Sequence, residues 1–189
     1  MNRYVGVLAP AGAGPLGLAM LEDVVDLVAD MALVRACLVV PEGCDPAVRD
    51  IVWPGMPVAD VADRRLGTVA AALVAVGADE AAVVVPDVPD LPALLLGKLH
   101  SALTSAEVAV CPAEDGRLLA AAVRLPLAPW VPALTLDDDD ALGVLRRAAP
   151  SRGLHVGAGW HRVRDEAEAR GLDRGLEGWE HTRALLDHG

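Results

Sequence analysis

Short runs of Val, Leu and Ala recur along this chain, and stretches with helical spacing lie between them. The runs at 4–9, 34–41, 81–85, 107–111 and 118–123 read as strands, with shorter extended segments at 56–61 and 154–158. Helical patterns occupy 18–31, 66–76, 93–103, 141–148, 165–170 and 176–186, with a short helix at 46–53. A run apolar at successive positions, rather than at alternate ones, marks a strand buried on both faces. Repeated strand–helix alternation predicts an α/β fold in three layers around a mostly parallel sheet. The short gap between 107–111 and 118–123 suits an antiparallel pair, which makes the sheet mixed. No repeat or linker divides the chain, so residues 1–189 read as one domain ending in a helical segment at about 165–188.

A chain of 189 residues with 53% hydrophobic and 23% charged side chains can bury a substantial core without any Phe. The net charge is −11 and Lys98 is the only lysine, so nucleic acid and an anionic membrane surface are excluded as partners. A small anionic ligand stays compatible, because a metal, a few arginines or backbone N–H groups can hold one. Cys37, Cys44 and Cys111 form no CxxC pair, which points to a reduced compartment and to small buried side chains. No apolar run approaches the roughly 20 residues of a membrane span, and the N-terminus lacks a signal-peptide pattern. A cytoplasmic protein is expected.

The stretch Val83-Val84-Val85-Pro86-Asp87-Val88-Pro89-Asp90-Leu91-Pro92 runs from a buried strand into two carboxylates held between prolines. Proline cannot donate to a ladder, so the strand stops near Pro86 and leaves Asp87 and Asp90 at its carboxyl end. That edge of an open α/β sheet is where ligands bind. The competing reading makes these acids turn formers and an N-cap of the following helix.

A glycine-rich turn follows the first strand, and Gly12, Gly14 and Gly17 fit GxGxxG, a phosphate-loop context. It reads either as a plain tight turn or as a dinucleotide loop, in which case Glu42 would bind ribose in an oxidoreductase. The acids Asp137 to Asp140 precede a helix and are expected to cap it and favour its dipole, with a metal site as the alternative reading. Leu176, Trp179 and Leu186 fall on one face of the last helical pattern, against the body or a partner. Tyr4 and Trp53 read as packing residues, and His161 as a surface or hydrogen-bonded histidine rather than a base.

Asp87-Val88-Pro89-Asp90-Leu91 followed by Cys111-Pro112-Ala113-Glu114-Asp115-Gly116 resembles a bacterial family of small GT-A-fold proteins. Its members are described as glycosyltransferase-like or nucleotidyltransferase-like and are akin to phospholactate guanylyltransferase. The family has a strand ending in S-D-x-P-D-L and a later strand ending in P-A-x-D-G-G-Y. Asp60-Val61-Ala62-Asp63-Arg64 resembles its D-L-G-E-R segment. The resemblance spans nearly the whole chain and is most specific in the middle third.

It implies a three-layer, Rossmann-like GT-A fold and a transferase acting on a nucleotide or nucleotide-sugar and a small-molecule acceptor. Mg²⁺ or Mn²⁺ often assists by bridging the diphosphate. On this likeness Asp87 matches the metal-binding and catalytic aspartate, and Asp115 lies near the acceptor. Gly12, Gly14, Arg64 and Asp90 fall in the segments that bind the nucleotide.

The departures define a second reading. The first loop, Gly12-Ala13-Gly14-Pro15-Leu16, lacks the family's basic K-T-R-L-like motif, and D-G-G-Y is Asp115-Gly116-Arg117-Leu118 here. The C-terminal W-x-D-V-D-T is Trp160-His161-Arg162-Val163-Arg164-Asp165, with two aspartates replaced by arginine. Arg162 and Arg164 cannot ligate a cation, which puts the Mg²⁺ or Mn²⁺ site in doubt. They are expected either to clamp the diphosphate in its place or to mark an inactive relative that serves as a binding subunit. A homo-oligomer and a complex with a partner enzyme both stay open.

Overall fold

The computed structural model describes residues 2–12 and 14–188. Ala13, within the predicted glycine-rich loop, lies outside the described residues. Among these residues seven strands form one sheet in the order β3-β2-β1-β4-β6-β5-β7. They are β1 (Arg3–Leu8), β2 (Arg35–Pro41), β3 (Val58–Val61), β4 (Glu80–Val84), β5 (Val108–Pro112), β6 (Leu118–Arg124) and β7 (Leu154–Val156). β6 runs antiparallel to both of its neighbours, β4 and β5, and the other pairings are parallel. The predicted mixed sheet and the antiparallel 107–111/118–123 pair are therefore both present.

The helices are α1 (Pro15–Ala29), α2 (Leu66–Ala75), α3 (Ala93–Ala102), α4 (Ala141–Ala148), α5 (Glu166–Arg170) and α6 (Glu180–His188), with a 3-10 turn at Pro46–Arg49. Right-handed crossovers in opposite directions place α1 on one face of the sheet and α2 and α3 on the other. β4 lies between β1 and β6 and is buried along its whole length. Its neighbour β6 offers Ala120, Ala121 and Ala122, all fully buried, so small side chains let the layers close. A Cβ on Gly6 in β1 would come within 2.9 Å of Val39 Cγ2 and 3.2 Å of Leu73 Cδ1, so α2 approaches the sheet only because that position is glycine.

Several sequence expectations are corrected. α1 begins at Pro15, not Leu18, since proline is well placed in a first helical turn. The last helix begins at Glu180, not Leu176. Gly178, with φ +96°, breaks the chain just before it, so Leu176 is half-exposed in a turn while Trp179 is buried. Trp53 is exposed, its indole N–H donating to Asp26. Cys37 and Cys111 are buried, but Cys44 is only half-buried. No helix among the described residues is long and apolar enough to cross a membrane.

The parallel strands deliver their carboxyl ends to one edge of the sheet. The exits of β1, β3, β4, β5 and β7 bring Gly12, Arg64, Asp87, Asp115 and Arg162 there. The connection after β6 returns to the same edge, pinned by Leu66 N–H on Leu134 O and Leu118 N–H on Leu136 O.

Candidate functional site

Asp87 and Asp90 sit in the turn after β4. The N-cap position of α3 is Pro92, and no side chain caps this helix. The capping explanation for these acids therefore fails. The segment after β7 is laid beside them by backbone bonds, Gly157 N–H to Val110 O, Trp160 N–H to Pro112 O and Val163 N–H to Asp87 O. This close approach needs Gly159, where a Cβ would lie 2.8 Å from Pro112 O.

Four side chains then form a ladder of alternating charge. Arg162 Nε donates to Asp87 Oδ2 at 2.8 Å, and its Nη2 donates to Asp137 Oδ1 at 2.7 Å. Asp137 Oδ2 lies 3.4 Å from Arg64 Nε, and Arg64 also donates to Ala9 O. Burial pushes the Asp87 carboxyl above its ordinary range, against the pull of Arg162. Burial also works against the Arg162 charge, but Asp87 and Asp137 outweigh it and hold the guanidinium above its usual value. Two polar atoms of the ladder are buried without a partner, Asp87 Oδ1 and Arg162 Nη1. Unsatisfied buried groups of this kind are uncommon, and a catalytic role or a bound water, ion or ligand is among the things that account for them.

A cavity of about 610 Å³ opens on the Asp87 end of the ladder, lined in part by Asp115, Arg117, Trp160, His161, Glu168 and Leu172. A second, of about 390 Å³, opens on the Arg64 end between Ala11, Glu42, Cys44 and Thr135. The structure thus joins Asp87, Arg162 and Arg64 through one set of ion pairs. It sets Asp90 apart, buried against Trp160 and His161. Asp115 is exposed on the cavity rim, where its Oδ1 accepts from Arg117 N–H. Arg164 stands at the mouth, 79% exposed and paired with Glu168 rather than with Asp87. Gly12 and Gly14 are exposed in the loop after β1, on the side of the second cavity. A Cβ on either would meet no protein atom within 4 Å, so packing within the protein does not require glycine there.

Asp137 is the site residue that the sequence reading missed. The acidic run was expected to cap α4, but no side chain caps that helix. Asp138 instead accepts from Thr135, Asp139 pairs with Arg117 and Asp140 pairs with Arg147. The available signal was the surplus of acids, because a helix start needs a single cap and the chain carries unpaired arginines elsewhere.

A divalent ion does not fit this arrangement. Among the described residues no three His, Cys, Asp or Glu side chains are grouped to hold a metal. One Asp87 oxygen and one Asp137 oxygen are already bound by Arg162. A divalent charge about 4 Å from the guanidinium would be repelled by about 8 kcal/mol at an effective dielectric constant of about 20, which offsets the attraction of one carboxylate at the same distance. The expected Mg²⁺ or Mn²⁺ site on Asp87 therefore conflicts with the donor set around it.

No protein-family model matches this chain, and neither does any curated protein. Solved structures do. A protein from Desulfovibrio desulfuricans G20, described as a nucleotide-diphospho-sugar transferase, aligns with TM-score 0.72 and 17% identity over 100% of this chain and 98% of its own. CMP:2-keto-3-deoxy-manno-octonic acid synthetase complexed with CTP aligns with TM-score 0.65 and 14% identity, covering 100% of this chain and 99% of that one. Glucosyl-3-phosphoglycerate synthase from Mycobacterium tuberculosis, in complex with Mn²⁺, UDP and phosphoglyceric acid, gives TM-score 0.61 and 14% identity over 88% of this chain and 72% of its own. The sheet order, the antiparallel β6 and these alignments agree that the chain has the Rossmann-like fold of nucleotide-diphospho-sugar transferases.

Proposed function

We propose that this protein binds a nucleotide or nucleotide-sugar and transfers its nucleotidyl or glycosyl group to a small acceptor, with Arg162 supplying the positive charge that a metal supplies in metal-dependent enzymes. The observation that carries this reading is the ladder Asp87–Arg162–Asp137–Arg64, which lies between two cavities at the carboxyl edge of the sheet. The nucleoside occupies the cavity beside Gly12, Gly14 and Arg64, and the acceptor occupies the larger cavity beside Asp115. The diphosphate crosses the ladder between them. Asp137 stands between Arg162 and Arg64, so it is the group that phosphate oxygens bound by both arginines would displace. Arg162, fixed by Asp87, then faces the leaving oxygens as a preorganised fork. CTP and UDP in the solved structures named above support a nucleotide as the donor.

Calorimetric titration with nucleoside triphosphates and nucleotide-sugars tests this. One class of donor should bind, and Arg162→Ala should weaken it about 10- to 100-fold, the equivalent of one charge-assisted hydrogen bond. A donor that binds equally well to Arg162→Ala would remove the clamp.

A second reading has its own observation. The ladder is self-neutralised, Arg164 is held by Glu168, and the first loop carries no cation. A chain of this fold in which the anion site is internally filled would act as a non-catalytic binding subunit. Co-expression with a neighbouring enzyme that yields a homogeneous complex, together with no donor binding by the isolated chain, would favour it.

A further inference from the structure

The segment that brings Arg162 to Asp87 also lays two aromatic rings on a second acid. Asp90 has a side chain only 1% exposed. Its Oδ1 accepts from Trp160 Nε1 at 3.2 Å, and its Oδ2 lies 2.9 Å from His161 Nε2. The two rings stack on each other with centroids 4.9 Å apart and planes 29° apart, which limits how far the imidazole can turn. His161 Nε2 is buried in this packing, although its N–H is not aimed straight at the oxygen. The side chain as a whole is 43% exposed and lines the larger cavity together with Asp87 and Arg162.

We propose that His161 is the general base that deprotonates the acceptor hydroxyl, with Asp90 as its positioning residue. This rests on the transferase reading. A buried carboxylate beside Nε2 favours the tautomer with the proton on that nitrogen, which leaves the Nδ1 lone pair for the acceptor. As the acceptor oxygen bonds to the transferred group, its proton passes to Nδ1. The bond to the departing phosphate oxygen breaks with its electron pair, and that charge develops beside Arg162. Asp115, another carboxylate lining this cavity, is exposed on the rim and turned onto Arg117 N–H, and Glu168 is paired with Arg164. The inferred acceptor class is a small molecule with a free hydroxyl, seated against Trp160 and His161.

The test uses the full chain, its His161→Gln and Asp90→Asn variants, and UDP-glucose, GDP-mannose and CTP as donors with glycerol as a stand-in acceptor. Donor binding, donor-bond cleavage and the ¹⁵N spectrum of the imidazoles are measured. His161→Gln should bind donor within about 2-fold of wild type and cleave it about 100-fold more slowly, the scale of one general base. Wild-type His161 should show the Nε2–H tautomer. Asp90→Asn should reverse it, because Trp160 claims the amide oxygen and turns the NH₂ toward the imidazole. An Nδ1–H tautomer in wild type, or unchanged cleavage by His161→Gln, overturns the base assignment while leaving the transferase reading intact. Absence of binding by every donor overturns both.

Discussion

Asp23 and Asp87 are both acids withdrawn from water, and the fold treats them differently. Asp23, on α1, is 1% exposed, and its two oxygens accept from the backbone N–H groups of His181 and Thr182 at 2.8 and 2.9 Å. It supplies from a distant helix the cap that α6 lacks in its own sequence. Both carboxylate oxygens have a protein partner there, so the acid itself is satisfied as it stands. Asp87 is held by one guanidinium and keeps a buried oxygen with no partner. The first acid locks two elements together, and the second belongs to a site that a ligand would finish. Burial alone does not separate the two acids; the satisfaction of their own carboxylate oxygens does.

The largest expected effect is on stability and concerns the satisfied acid. Burial pushes Asp23 up to about 6 from an ordinary 3.8. Its contribution is therefore fully present below about 3.8 and lost as pH rises through 6. The 2.2-unit difference corresponds to about 3 kcal/mol. Asp23→Asn should remove that slope, so its unfolding free energy relative to wild type should rise by this amount between pH 4 and 7 in urea titrations.

His100 gives the opposite sign. Burial lowers it to about 4 from 6.5, so its contribution is present above 6.5 and lost as pH falls through 4. His100→Leu should spare the protein about 3 kcal/mol of acid destabilisation over that window, comparable to the Asp23 effect. Slopes of the same sign in both variants would undo the contrast between the two groups.

Smaller effects concern the incomplete acid. Asp87→Asn should reduce donor cleavage about 100-fold, while its thermal midpoint moves less than that of Asp23→Ala. A large loss of stability with unchanged cleavage would show that Asp87 is a structural acid like Asp23. Asp137→Asn should tighten donor binding about 5- to 10-fold in calorimetry, because it removes the charge that competes with phosphate for Arg162 and Arg64. Weaker binding would mean that Asp137 is part of the ligand site and not its stand-in. Arg164→Ala, which removes an exposed pair with Glu168, should change binding by less than about 2-fold and stability by less than about 0.5 kcal/mol.

What the sequence displays here is local, and what it hides is the pairing of distant charges. Buried strands announce themselves because both faces must be apolar, and the sheet was legible from 4–9, 34–41, 81–85 and 107–123. Asp87 and Asp90 were legible because prolines force a strand to stop where an acid follows. Arg162 could be singled out as a charge reversal, but its partners Asp87 and Asp137 lie 75 and 25 residues away, and no periodicity connects them. The acidic run from Asp137 carried a sufficient local explanation as a helix cap, which concealed the one member that faces the site. His161 read as a surface or hydrogen-bonded histidine, and its neighbour Asp90 could not be named because it lies in another turn, 71 residues away in sequence.

The central claim is that a fixed guanidinium stands where a divalent ion would otherwise act. Titrating the wild-type chain with the donor it binds best, once in excess EDTA and once with Mn²⁺, tests that claim most directly. The dissociation constant should be the same within about 2-fold in both, and Arg162→Ala should lose about 10-fold or more. Binding that appears only with Mn²⁺, and survives Arg162→Ala, would contradict it.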